Sequence, residues 1–336
     1  MPDAKNILVT GGAGFIGSNL ADALLEDPRV GLVRVLDNLL TGSLDNIRHL
    51  LDHPRFEWME GDICDLDTCL QACAGMDLID HHAALGSVPR SIQNPVLTNS
   101  INISGTLNVF EAARQSGIRR IVFAASSSTY GDHPGLPKIE DKIGRPLSPY
   151  AVTKLVNELY ADVYSKLYGM EMIGLRYFNI FGPRQSPNGA YAAVIPLFMQ
   201  CFSDNQAPQI NGDGSFSRDF TYVANAVLAN RLALFTEDNT AINQIYNIAC
   251  GHTTSLNEMV QALRNISGKS IQAHYGPNRA GDIPHSLADI SKARRLLGYQ
   301  PEMLFQDGLG RTYRWFVGQQ VVKPLAVAVY TELNRL

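Results

Sequence analysis

The chain has 336 residues, 45 % of them hydrophobic and 18 % charged, which predicts a soluble globular protein with a large core shared between two lobes. A net charge of −4 and a pI near 6.1 exclude nucleic acid as the main partner, because no basic excess exists to neutralise phosphates. No apolar run reaches the ~18 residues of a membrane span, so no membrane partner is expected.

No signal peptide is read ahead of the first strand, which begins by Asn6. Ile7-Leu8-Val9 ends in Thr10-Gly11-Gly12-Ala13-Gly14-Phe15-Ile16-Gly17, and helical spacing follows through Leu20, Ala23 and Leu24. Leu32 to Leu36 reads as a second strand that stops at Asp37-Asn38. Strand, glycine turn, helix, strand and acid form the plan of a dinucleotide site. Gly11, Gly14 and Gly17 leave bare backbone, so a pyrophosphate can approach the helix N-terminus, where unpaired N–H groups and the dipole favour anions. Asp37, twenty residues beyond Gly17, suits ribose hydroxyls and disfavours a 2′-phosphate, which points to NAD rather than NADP.

Further strands end at Glu60-Gly61-Asp62-Ile63, at His81-His82-Ala83-Ala84, at Ser126-Ser127-Ser128-Thr129-Tyr130-Gly131 and at Arg176-Tyr177-Phe178-Asn179. Helical patterns over Asn94–Gln115 and Tyr150–Tyr168 separate the later ones. This alternation predicts an α/β fold of Rossmann type, a doubly wound parallel sheet with ligands at the carboxyl ends of its strands. Asp62 either holds the adenine end of a dinucleotide or caps the helix of Asp65–Cys73, and His81 and His82 read as packing residues. Cys64, Cys69, Cys73, Cys201 and Cys250 contain no Cys-x-x-Cys pair and lack zinc-like partners, so free thiols in a reducing, cytoplasmic compartment and no metal are expected.

Tyr150 and Lys154 are four apart and share a helix face. A free phenol has a pKa of roughly 10, and a nearby ammonium can lower it by about 1–3 units, which would make Tyr150 a base near neutral pH. The serine run supplies a hydroxyl to the same place. Beyond Gly182 the pattern loosens into turns at Pro187-Asn188-Gly189 and Ile210-Asn211-Gly212-Asp213-Gly214 and helices over Ala192–Cys201, Val223–Phe235, Leu256–Ile266, Ile290–Leu297 and Gly308–Val317. Arg218, Arg231 and Arg279 are candidate anion ligands there. The division expected is a dinucleotide domain over residues 1–181, an integrated, smaller C-terminal α/β substrate lobe over 182–318 with some chain crossing between the two, and a tail over 319–336 without an assigned role.

The glycine turn, Asp37-Asn38, Gly61-Asp62, the serine run and Tyr150-x-x-x-Lys154 together resemble the extended short-chain dehydrogenases/reductases that act on nucleotide sugars. Three segments, 83–91, 126–134 and 184–196, are similar to those of bacterial UDP-N-acetylglucosamine 4-epimerases of surface-polysaccharide pathways. The resemblance extends to about Val317. It implies that Tyr150 takes the proton of the sugar 4-hydroxyl while hydride passes from C4 to NAD+, that Lys154 lowers the Tyr150 pKa and binds the nicotinamide ribose, and that Ser126 shares the proton or polarises the oxygen. The 4-keto sugar then turns over and hydride returns to its other face, so NAD is tightly held and regenerated. Related 4,6-dehydratases carry Asp-Glu directly after the catalytic Thr, and related decarboxylases a Glu; here Ser127 and Ser128 stand at those positions, which leaves C4 chemistry alone.

By the same resemblance NAD meets Gly11, Gly14, Phe15, Ile16, Gly17, Asp37, Asn38, Gly42, Asp62, Ile63, Ala83, Ala84, Tyr150, Lys154 and Tyr177. The UDP-sugar meets Gly86, Ser87, Ser126, Ser127, Ser128, Tyr150, Asn179, Gln185, Ala192, Ala193, Val194, Asn211, Arg218, Arg279, Asp282 and Ser286. Small side chains at Gly86 and Ser286 leave room for a 2-N-acetyl group, with UDP-glucose turnover also expected because pocket size discriminates by only about 1–3 kcal/mol. A homodimer through the helices of 94–115 and 150–168 is implied. The competing readings are a UDP-glucuronate or UDP-glucose 4-epimerase and a non-catalytic NAD-binding regulatory module.

Overall fold

In the computed structural model, which describes residues 4–187, 193–278 and 284–318, the apolar runs of the first half become the strands of one sheet. In chain order these are β1 (Lys5–Thr10), α1 (Phe15–Leu25), β2 (Val30–Asp37), β3 (Phe56–Glu60), α2 (Leu66–Cys73), β4 (Leu78–His81), α3 (Val88–Gln93), α4 (Pro95–Asn99), α5 (Thr106–Gln115), β5 (Arg120–Ser126), α6 (Pro149–Tyr168) and β6 (Glu171–Tyr177). All strand pairs within the sheet are parallel, and the order β3-β2-β1-β4-β5-β6 reverses direction between β1 and β4, the switch point where open α/β sheets bind ligands.

Alternation along each strand divides the core between the two faces. Ile7 and Val9 join Leu20, Leu24, Val122 and Tyr246 on one face, whereas Leu8 joins Ile79, Phe110, Ile121 and Phe123 on the other. The helix expected over Asn94–Gln115 is broken by chemistry that spacing does not reveal: a π-helical stretch, Ser100–Gly105, links α4 to α5. Within it, buried Asn102 accepts from Leu85 N at 2.7 Å and donates to Leu85 O and Thr153 Oγ1, both at 3.2 Å. One side chain thus ties the loop after β4 to the second turn of α6.

The later half continues with β7 (Ile180–Phe181), α7 (Val194–Ser203), β8 (Gln209–Asn211), β9 (Ser217–Arg218), β10 (Thr221–Tyr222), α8 (Val223–Phe235), β11 (Gln244–Ile248), β12 (Thr254–Ser255), α9 (Leu256–Ser267), β13 (His274–Gly276), β14 (His285–Ser286), α10 (Ser291–Leu297) and a helix over residues 305–318. Phe181, Phe198, Phe202, Phe220, Met259 and Leu309 form its core. The chain crosses back: β11 adds to the large sheet beside β6, and α8 packs on α1. Arg231 on α8 reaches Asp27 after α1 at 2.8 Å, and Asp27 also pairs with Arg29. Arg231 therefore anchors α8 to the loop after α1 and is not the anion ligand that its charge suggests.

A buried acid joins the lobes. Asp219 accepts from Cys250 N at 2.9 Å and from Gly251 N at 3.0 Å, at the end of β11, and burial pushes its pKa up to about 6 against those hydrogen bonds. The five thiols are all unpaired. Among the described residues, no helix is long and apolar enough to cross a membrane, and no group of acids, histidines and cysteines could hold a metal ion.

Candidate active site

A cavity of about 380 Å³ opens at the switch point, along the carboxyl ends of β1, β2, β4, β5 and β6. Its first wall is the turn from β1 into α1. Gly11 adopts φ +70°, and a Cβ there would meet Ala83 N at 2.6 Å; one on Gly17 would stand 2.4 Å from Gly11 O. Gly14 caps α1 without a side-chain acceptor, and no acid occupies the first helical turn. The turn therefore offers backbone and helix dipole with no competing side chain, as an anion-binding cradle requires.

Two carboxylates stand at this end. Asp37 accepts from Leu39 N at 2.8 Å and Ala13 N at 3.0 Å, and burial pushes its pKa up against both bonds. Asp62 accepts from Cys64 N at 2.8 Å and Asn38 Nδ2 at 3.0 Å; the α2 helix is capped by Asp65 and not by Asp62. Phe15, Ile16, Asn38, Ile63, Ala83 and Ala84 also line the cavity. Gly42 does not: it packs behind Asp37, where a Cβ would come within 3.1 Å of Asp37 Oδ2 and 2.9 Å of the Ala13 backbone.

Ser126, Tyr150, Lys154, Tyr177, Asn179 and Gly86 line the opposite end. Ser126 Oγ accepts from Ser128 N at 3.1 Å and from Ser128 Oγ at 2.9 Å. Tyr150 is its neighbour in the cavity, and Ser126 opposes the rise of the Tyr150 pKa. Lys154 donates to Ala124 O at 2.8 Å, and burial pulls its pKa down to about 8, with Glu158 acting in the other direction.

Lys154 is not among the groups that shift the Tyr150 phenol in this geometry. Burial pushes the phenol up, and the hydrogen bond to Ser126 is what opposes the rise. The physical reason is placement: the Lys154 ammonium lies 6.0 Å from the Tyr150 ring centre and is itself engaged by Ala124 O. An i,i+4 spacing puts two side chains on one face without setting where their ends point.

The other expected sugar contacts divide. Asn179, at φ +41°, donates to Asp219 O at 3.1 Å, and Gln185 donates to Ile180 O at 3.1 Å with its amide oxygen buried and unpartnered. Arg218 and Ser286 face each other in register on β9 and β14, and Arg218 donates to Ser217 O at 2.9 Å and Pro284 O at 3.1 Å. Asn211 ends β8 opposite Gly276, and Val194 begins α7 with Ala193 as its N-cap. Ser87, at φ +100°, caps α3, and Ser127 opens the turn that holds Ser128. Of these positions only Asn179 lines the cavity. Ala192, Arg279 and Asp282 lie outside the described residues, as does the 319–336 tail.

Sequence reasoning missed His82 and Ile101, which also line the cavity. His82 carried a usable signal, its place at a strand's carboxyl end, but two adjacent histidines gave no ground for choosing between them. His81 is the packing member: it bonds Thr10 Oγ1 at 2.7 Å and Thr106 Oγ1 at 3.0 Å, and burial drives its pKa down to about 3.

Comparison with known proteins decides the family. The model of the NAD dependent epimerase/dehydratase family matches residues 7–249. The chain belongs to that family. The epimerase-family chain is 40 % identical over 311 residues to a putative UDP-glucose 4-epimerase of Methanocaldococcus jannaschii, covering 92 % of this chain and 97 % of that protein. Its structure is similar to the UDP-N-acetylglucosamine 4-epimerase of Methanobrevibacter ruminantium M1, solved with UDP-N-acetylmuramic acid, at a TM-score of 0.88 and 37 % identity, covering 94 % of this chain and 99 % of that one. It is also similar to the UDP-glucuronic acid 4-epimerase of Bacillus cereus, solved with UDP-glucuronic acid and NAD, at a TM-score of 0.85 and 33 % identity over 94 % and 99 % of the two chains. As a member, the protein is an NAD-dependent enzyme of the nucleotide-sugar 4-epimerase class, built on the Rossmann sheet described above. The bare glycine cradle and the two acids at one end of the cavity fit a dinucleotide of NAD type.

Proposed function

We propose that this epimerase interconverts UDP-N-acetylglucosamine and UDP-N-acetylgalactosamine. The observation that carries the C4-only part of the reading is the chemistry of the cavity's two ends. Among the described lining residues the only carboxylates are Asp37 and Asp62, both at the glycine-turn end, and the Ser126–Tyr150 end contains hydroxyls and an amine. Such an end can move a proton on an oxygen but lacks an acid-base group suited to the C–H bonds at C5 and C6.

Gly11, Gly14, Gly17 and Asp37 would hold the dinucleotide, with Asp62 at its adenine end and Lys154 and Tyr177 at its nicotinamide end. The bound cofactor supplies an acceptor for hydride from C4 and returns it. Tyr150 takes the proton of the 4-hydroxyl, and Ser126, oriented by Ser128, donates a hydrogen bond to the oxygen that becomes anionic. Burial raises the Tyr150 phenol, and Ser126 is the group that opposes the rise. On the sugar side, Arg218, Arg279 and Asn179 serve the diphosphate, and Asn211 and Asp282 the uridine. Space at Gly86, where a Cβ would meet no atom within 4 Å, and the small Ser286 support an N-acetylated sugar.

Second copies of the chain would pack on the helices already suspected. Val96 on α4 is 78 % exposed, and Leu159 and Leu167 on α6 are 58 % and 70 % exposed. Apolar side chains so exposed on neighbouring helices support a homodimer, and the five unpaired thiols support a cytoplasmic setting.

The substrate assignment is tested by incubating the protein with UDP-GlcNAc, UDP-Glc and UDP-GlcA in separate reactions and resolving the products by NMR. UDP-GlcNAc is expected to yield UDP-GalNAc with the highest kcat/KM, and UDP-Glc to react more slowly. UDP-GlcNAc returned unchanged while UDP-GlcA epimerises would overturn it.

A further inference from the structure

Every polar group of Asp219 is engaged, and together they tie separate segments of the chain. Oδ1 accepts from Cys250 N and Oδ2 from Gly251 N, just past β11; Oδ2 also accepts from Ala288 N at 3.4 Å, just past β14. The main chain of Asp219 engages the rest: its N–H donates to Ser286 O at 2.8 Å, and its carbonyl accepts from Asn179 Nδ2 at 3.1 Å. The residue is fully buried. A carboxylate away from water is costly unless donors surround it, and here backbone N–H groups supply them. What the acid provides is a fixed link: β11 belongs to the large sheet, whereas β9 and β14 belong to a separate small one.

The residues beside this link are ones that the proposed reading gives to the UDP-sugar. Arg218 immediately precedes Asp219 and faces Ser286 in register across β9 and β14. Asn179 lines the cavity at φ +41°, a conformation that persists only where neighbours hold it, and Thr221 N donates to its carbonyl at 3.2 Å. We propose that Asp219 is a positioning residue for the UDP diphosphate, holding Arg218 on β9 at a fixed separation from Asn179 on the cavity wall so that both meet the ligand together. Asp219 does not itself line the cavity, and its carboxylate faces backbone N–H groups. The inference rests on the UDP-sugar reading but not on which sugar UDP carries.

The test therefore uses UDP alone, titrated calorimetrically into the NAD-loaded protein. The parent is compared with Asp219→Asn, Asp219→Ser, Arg218→Ala and the double variant Asp219→Asn/Arg218→Ala. Asn keeps the shape but sets an amide donor among backbone donors; Ser removes the acid without doing so. NAD content and thermal unfolding are measured alongside. Both Asp219 variants are expected to bind UDP at least ~10-fold more weakly, because an ångström-scale misplacement can cost ~10²-fold, and to keep their NAD. The double variant is expected to lose less than the product of the two single losses, since Asp219 acts through Arg218. Parental UDP affinity in either folded Asp219 variant, or a double loss equal to that product, would overturn the proposal. Loss of NAD in both Asp219 variants, or failure of both to fold, would mark the residue as structural and overturn it equally. A parent that does not bind UDP would overturn the UDP-sugar reading and this inference with it.

Discussion

Replacing Tyr150 with Phe is expected to lower kcat by about 10²–10⁴, the range in which a positioned proton-transfer group contributes, with NAD still bound. The substitution deletes the phenolic oxygen of Tyr150 and leaves the glycine cradle, Asp37 and Asp62 untouched. Cofactor content after purification and turnover of UDP-GlcNAc check the two halves separately. Turnover at the parental rate would remove Tyr150 as the base. Loss of NAD together with activity would show that the ring serves mainly as a wall of the cofactor site.

Glu158→Gln is expected to cost about 3–5 kcal/mol of stability, measured by denaturant unfolding of the cofactor-free protein. Glu158 on α6 receives both Arg176 Nε at 2.8 Å and Arg176 Nη2 at 2.7 Å, and the pair is almost fully buried, with side chains 7 % and 4 % exposed. Arg176 also donates to Glu140 O at 2.9 Å and lies 4.9 Å from the centre of the Tyr130 ring. Neutralising Glu158 strands a cation inside the protein, whereas replacing both partners with apolar residues removes the stranded charge and is expected to cost less. The same pair fixes α6, which carries Tyr150 and Lys154, against β6. A change below about 1 kcal/mol in Glu158→Gln would show that water or another acceptor reaches Arg176.

The glycine turn, its acid and the alternation of apolar runs with helical spacing were legible because each is local. Hence the strand that carries Ile7-Leu8-Val9, the position of Asp37 and the helices over Val223–Phe235 and Leu256–Ser267 follow from the sequence to within a residue or two. Contacts between distant residues were not legible. Arg231 has the composition of an anion ligand, yet its partner Asp27 is 204 residues away, and nothing in local spacing pairs them. Asp219 looks like an ordinary surface acid until Cys250, Gly251 and Ala288 close over it. Tyr150 and Lys154 were correctly brought to one place, but the phenol's acidity depends on burial and on the direction of the ammonium. Neither is a property of spacing.

On the proposed reading, this epimerase oxidises and re-reduces C4 and leaves C5 alone, because hydroxyls stand at Ser127 and Ser128. Turnover of UDP-GlcNAc in D2O, followed by ¹H NMR of the sugar product, tests it most directly. Hydride that leaves C4 and returns from within the site never meets solvent, so UDP-GalNAc bearing protium at both C4 and C5 is the predicted result. Deuterium at C5, or a 4-keto-6-deoxy sugar among the products, would contradict it.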